Sequence, residues 1–172
     1  MGIRFGALML LLAFLPRAQA ADGLGKLDCW VGAWQGSGWT QFPGSPRVVF
    51  DIAERVQKRA GGNVLLVDGQ GTASGPNGAR TVTHDGIALV TFDKQAQRFR
   101  WQGYDAGRDA VDIEAVVRDC SIAWSIPAGD GKTVVRFTID LDQREWREVG
   151  EIGTGGGPWT KFMEMTLRRQ DR

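Results

Sequence analysis

From about residue 33 onward the chain is a succession of short stretches in which apolar and polar residues alternate, cut at close intervals by turn-forming residues. The cuts are Gly44-Ser45-Pro46, Gly61-Gly62, Gly75-Pro76-Asn77-Gly78, Gly129-Asp130-Gly131 and the run from Gly153 to Pro158. The 24 glycines of the chain fit a protein made of hairpins rather than helices. Between the cuts lie ten predicted strands: Ala33–Thr40, Arg47–Lys58, Asn63–Thr72, Thr81–Phe92, Arg98–Tyr104, Ala110–Arg118, Ser121–Pro127, Thr133–Leu141, Glu145–Ile152 and Thr160–Arg169. Their connections are too short for crossover helices, which excludes a parallel α/β sheet and makes sequential antiparallel hairpins the natural topology. So many consecutive strands must stack as a sandwich or close on themselves. Closure removes both exposed edges, so the expected fold is an all-β, up-and-down antiparallel barrel of about ten strands.

Parity along the strands predicts which side chains face inward. Val48, Phe50, Ile52, Glu54 and Val56 share one face of the second strand, with Asp51 and Arg55 on the other. In the fifth strand Phe99 and Trp101 oppose Arg98, Arg100 and Gln102. The sixth sets Val111, Ile113 and Val117 against Asp112 and Glu114, and the eighth sets Val135, Phe137, Ile139 and Leu141 against Arg136, Thr138 and Asp140. An apolar inner face and a polar outer one describe a barrel in water with a lipophilic inside. Ahead of the first strand, Leu24, Leu27 and Val31 recur at helical spacing and predict a turn or two of helix within Asp22–Val31.

Residues 1–20 have the layout of an export signal: Arg4, an apolar run from Phe5 to Leu15, Pro16, and Ala18-Gln19-Ala20 before the expected cleavage point. The apolar run is too short for a spanning helix, which needs about 20 residues, and no cysteine follows the cleavage point directly. The expected product is a single soluble domain, residues 21–172, periplasmic or secreted. Without Arg4 and Arg17 the basic residues fall from 21 to 19 against 20 acidic ones. These charges are interspersed, so neither nucleic acid nor anionic lipid has its usual electrostatic footprint. Cys29 and Cys120 are the two cysteines. Their even number in an exported chain favours a disulfide, the alternative being two buried free thiols.

The domain opens Leu27-Asp28-Cys29-Trp30-Val31-Gly32-Ala33-Trp34-Gln35-Gly36-Ser37-Gly38. It ends with Trp146-Arg147-Glu148-Val149-Gly150-Glu151, a Gly-rich turn, Trp159, and Phe162-Met163-Glu164-Met165-Thr166-Leu167-Arg168-Arg169. A helical lead-in followed by Gly-x-Trp-x-Gly-x-Gly, with this closing strand, resembles calycin-type barrels. It is especially similar to nitrobindin and a related bacterial lipocalin-like family. The resemblance implies that Trp34 packs across the closed end of the barrel against Arg168 or Arg169, a cation–π contact on the order of 1 kcal/mol. It also implies where a nitrobindin-like haem would attach: a His in the pattern His-Leu-x-Ala-x-Leu-x-Arg. Aligned on Leu167-Arg168-Arg169, that position is Phe162, which cannot ligate iron, so no haem or other cofactor is expected.

His84, the single histidine, stands among Thr83, Asp85 and Gly86, which reads as a surface residue at a strand start or turn, the alternative being an iron ligand in a different geometry. One His and two distant Cys give no zinc spacing, and there is no Gly-x-Ser-x-Gly elbow. Asp130 and Asp142 fall in turns, where Asp is ordinary. Two acidic residues resist so plain an account. Glu54 has core parity and Glu148 shares a face with Trp146. Such carboxylates lie near a rim, or have their parity shifted by a bulge, or anchor the polar group of a ligand, or work as a general acid–base pair. Seven tryptophans are many for this length. Trp30 and Trp34 are expected at the closed end; Trp39, Trp101, Trp124, Trp146 and Trp159, with Phe137, either fill the core or line a cavity. The sequence therefore points to a barrel that binds a small, mostly apolar or amphipathic molecule. An envelope scaffold protein and an enzyme using Glu54 and Glu148 are the alternatives.

Overall fold

The computed structural model describes residues 23–170 except 76, 143 and 155; the expected signal peptide and its cleavage site lie outside the described residues. Ten strands form one closed antiparallel barrel in which each pairs with its neighbour in sequence and the first pairs with the last. They are β1 (Gly32–Thr40), β2 (Val48–Arg59), β3 (Val64–Ser74), β4 (Arg80–Asp93), β5 (Arg98–Asp105), β6 (Val111–Arg118), β7 (Ser121–Pro127), β8 (Thr133–Leu141), β9 (Glu145–Thr154) and β10 (Thr160–Arg169). The predicted bounds hold to within two residues, because period-two alternation sets the element and the turn residues set its ends. The predicted helix is a 3₁₀ segment, Gly23–Trp30, that buries Leu24, Leu27 and Trp30.

Turn chemistry is repeated around the barrel. Asp93, Asp130 and Asp142 each accept two backbone N–H groups two and three residues onward, at 2.7–3.0 Å. Hydrogen bonds to the charged form hold all three carboxyls below the usual range, the Thr133 hydroxyl contributing most at Asp130 and the backbone N–H groups most at Asp93 and Asp142. The inner face of β1 is nearly empty apart from Trp34. A Cβ on Gly36 would stand 2.8 Å from Leu167 Cα, and one on Gly38 2.5 Å from Met165 Cβ. The Gly-x-Gly of the opening motif thus lets β10 and Phe50 close in on this strand.

One end of the barrel is sealed by the 3₁₀ segment. The Trp30 and Trp34 rings pack on Trp146 with centroids 4.8 and 5.9 Å away. The Trp30 indole N–H donates to the Cys120 carbonyl at 2.9 Å, and that of Trp34 to the Trp30 carbonyl at 2.8 Å. Cys120 lies in the tight β6–β7 turn with φ of 31°, and its backbone N–H donates to the Lys26 carbonyl at 3.1 Å. A disulfide joins it to Cys29, with the Cα atoms 5.9 Å apart. The guanidinium that covers Trp34 is that of Arg169, 4.2 Å from the ring centroid, which also donates to the carbonyls of Val31 (2.6 Å) and Cys29. Arg168 is not the partner: it has the opposite parity to the buried Leu167 and is exposed.

Candidate functional site

Above the sealed end the barrel holds a cavity of about 470 Å³ that reaches the surface at the opposite end, beside the half-exposed Phe42 and Tyr104. Its side wall is aromatic. Trp101 of β5 stacks on Trp124 of β7 with ring centroids 4.0 Å apart, and Trp124 stacks on Phe137 of β8 at 5.4 Å. Phe137 meets Phe162 of β10 edge-on at 5.8 Å, and Phe162 stacks on Phe42 of the β1–β2 connection at 4.8 Å. The array is assembled by pairing register, which sets Trp124 directly opposite Phe137. A bulge between Lys161 and Met163 in β10 turns both Phe162 and Met163 inward. Phe162, the position where a nitrobindin-like iron ligand would stand, is therefore a cavity wall residue.

The floor is polar. Glu54 and Glu148 both line the cavity, as does Trp146. Glu54 is paired in the sheet with Trp34 on one side and Gly69 on the other, so it stands at the sealed end and not at the rim. Its carboxyl occupies the space over Gly69, where a Cβ would lie 2.5 Å from Oε1. Glu54 is only 7% exposed. Burial, with the Glu148 carboxyl and then Asp68 adding repulsion, pushes its pKa from 4.5 to about 8. Glu148 sits between Ile139 of β8 and Met165 of β10, partly buried and lining the cavity. Burial raises its carboxyl to about 7, opposed in part by the nearby Trp146 indole. That indole N–H falls short of hydrogen-bonding geometry and is the one fully buried side-chain polar atom without a partner among the described residues. Two carboxyls thus face the interior with no cation against them: every described ion pair involves other acids.

At the mouth, His84 Nδ1 stands 3.4 Å from Asp105 Oδ1, and Arg108 Nε 3.2 Å from Asp105 Oδ2. His84 is not at a strand start or turn. It lies inside β4, turned toward the cavity mouth next to a bulge opposite Gly71 and Thr72.

The structure brings together Glu54, Trp101, Trp124, Phe137, Trp146 and Glu148 from the predicted set. It leaves Trp39 out. That ring faces outward on β1, capped by the Arg47 guanidinium at 3.8 Å, because it stands five positions after the inward Trp34 and the odd offset reverses its face. Trp159 is also outside, half-exposed under Arg136 at 4.2 Å. Sequence reasoning missed Phe42, Tyr104, Asp105 and Arg108 as lining residues. Phe42 and Arg108 lie in connections, where alternation carries no information. Among the described residues no group of acidic, His and Cys side chains is arranged to hold a metal ion.

No protein-family model and no curated protein sequence matches this chain. Solved structures do. Rv2717c from M. tuberculosis is similar with a TM-score of 0.62 at 15% identity, over 87% of this chain and 98% of that one. The S-type phycobiliprotein lyase CPES from Guillardia theta is similar with a TM-score of 0.58 at 8% identity, over 88% of this chain and 93% of that one. The closed ten-stranded antiparallel barrel is calycin-like.

Proposed function

We propose that the protein is an exported binding protein that holds a small, mostly apolar molecule inside its barrel. The observation that carries this reading is the cavity. Its volume of about 470 Å³ falls within the range of roughly 300–1,000 Å³ typical of ligand sites. Its wall combines a stacked aromatic array with a few inward polar groups, the usual composition of such sites. The likeness in fold to a phycobiliprotein lyase supports the use of such a barrel for small-molecule work. The disulfide supports an oxidising compartment, in keeping with the signal-like residues 1–20.

Native mass spectrometry and solvent extraction of protein purified from its own host test the binding function, with a bound small molecule as the expected result. Protein that is always recovered empty and takes up no hydrophobic probe would overturn it. Amino-terminal sequencing of the exported form should begin at Ala21; an uncleaved, cell-retained chain would remove the export part of the proposal.

A further inference from the structure

We propose that the cavity selects flat aromatic molecules carrying a cationic nitrogen, an amine or an amidine, with Glu54 and Glu148 on the floor as its anchor and the Trp101–Trp124–Phe137 wall as its stacking face. This rests on the interior-binding reading above and names the chemical class that the interior would take.

The first observation is the state of the two carboxyls. Glu54 is more than nine-tenths buried, aimed into the cavity, and has neither a hydrogen bond nor an ion pair to a side chain among the described residues. A carboxylate removed from water without a partner is costly, and a native fold that keeps one inside an otherwise apolar interior leaves a place for its partner. The second is that the sheet is shaped around it. Gly69 supplies the space that the carboxyl fills, which a residue with a Cβ would take away. The third is the sign of everything else that lines the chamber. The remaining titratable groups facing it are His84 of β4, Tyr104 and Asp105 at the end of β5, and Arg108 just beyond, all at the mouth. Asp68 of β3 acts from outside the wall, and Arg169 is occupied over Trp34. β1, β7, β8 and β10 contribute no titratable group to the lining among the described residues. The deep half of the cavity thus offers two acids and no base, so an anionic head group would meet repulsion there while a cation would meet two partners.

The aromatic wall adds to this preference. Stacked indoles present a negative π-face to an electron-poor ring, and a cation near such faces gains further attraction. Burial of both, with repulsion from Glu148 added at Glu54, keeps the pair largely protonated up to near neutral pH when the cavity is empty. A cationic ligand must therefore displace protons as it binds, and binding should tighten with rising pH.

The test uses three probes of similar size with the purified protein, followed by quenching of tryptophan fluorescence. They are the dication 4′,6-diamidino-2-phenylindole, the neutral N-phenyl-1-naphthylamine and the anion 1-anilinonaphthalene-8-sulfonate. The amidine is expected to bind at least about ten-fold more tightly than the neutral dye above pH 8, and to tighten about ten-fold or more between about pH 6 and about pH 9. The neutral dye should be nearly indifferent to pH. The double variant Glu54→Gln, Glu148→Gln should keep the neutral dye and lose both the preference and the pH dependence. The pH series on the unaltered protein gives an answer that needs no variant to fold. If the anion or the neutral dye binds as well as the amidine, or the double variant keeps the preference, the inference is overturned while the interior-binding reading stands. If none of the three enters, both fall.

Discussion

Two adjoining layers of this barrel, the plug at the sealed end and the cavity floor directly above it, are built on opposite principles. At the sealed end polar atoms are matched: the Trp30 and Trp34 N–H groups, the Cys120 backbone and the Arg169 guanidinium all have partners, and a disulfide ties the 3₁₀ segment to the β6–β7 turn. One layer higher, Glu54, Glu148 and the Trp146 indole N–H are left without them. A fold that satisfies its polar groups so fully at one end has the means to do so at the next layer. The contrast teaches that the lower end carries stability, while the floor of the cavity holds an unspent capacity for a ligand.

That comparison can be broken most forcefully at the sealed end. Cys120→Ser opens a loop whose ends are 91 residues apart. In the chain-entropy account this should cost about 4–5 kcal/mol, seen as a lower midpoint in urea unfolding, and a loss under about 1 kcal/mol would show the strap to be ornamental. Arg169→Ala removes the cover over Trp34 and two carbonyl contacts. It should cost about 2–3 kcal/mol, with Arg169→Lys recovering less than half because the planar stack is lost.

The cavity floor should respond in the opposite direction. Both acids have folded-state pKa values above their ordinary 4.5, Glu54 near 8 and Glu148 near 7. The stability tied to their protonated forms is complete below pH 4.5 and drains away as pH rises toward 8. Glu54→Gln should therefore match the parent near pH 4 and exceed it by roughly 2 kcal/mol near pH 9 in thermal melts of ligand-free protein. A variant less stable than the parent at alkaline pH would mean that the carboxylate already has a partner. The smallest effect is expected from Gly69→Ala, which drives a methyl into the Glu54 carboxyl. The side chain can swing into the cavity, so stability should fall by only about 1 kcal/mol, while the affinity for cationic dyes changes far more than the melting temperature.

The sequence spoke clearly about the barrel and less clearly about its contents, for a physical reason. Alternation is a local property of each strand, so Phe50, Glu54, Phe137 and Ile139 could be placed inward from their immediate neighbours. The parity rule even contained the correction to one expectation and the answer to one open alternative. Trp39 is an odd number of positions from Trp34, and Arg169 an even number from Leu167, which separates the exposed Arg168 from the residue that stacks. Hidden from the sequence was whatever depends on register between strands. The Trp101–Trp124 stack spans two strands that are not neighbours, Glu54 and Glu148 meet from β2 and β9, and bulges decide that Phe162 and His84 face the cavity. No run of residues records those meetings.

The seam where β1 meets β10 governs how the molecule can assemble. Arg169 reaches back to the Val31 carbonyl across 138 positions, and the backbone N–H of Gln170 donates to Ala33 at 2.9 Å. Nine of the ten hairpin pairings join adjacent strands and can zip in order of synthesis, but ring closure has to wait for the last strand. Until it arrives the sheet is an open ribbon with two sticky edges and its aromatic interior turned to water. Closure is thus the slow, long-range event, on the order of milliseconds to seconds for such topologies. In stopped-flow refolding, burial of Trp34 and Trp146 should follow sheet formation and not precede it.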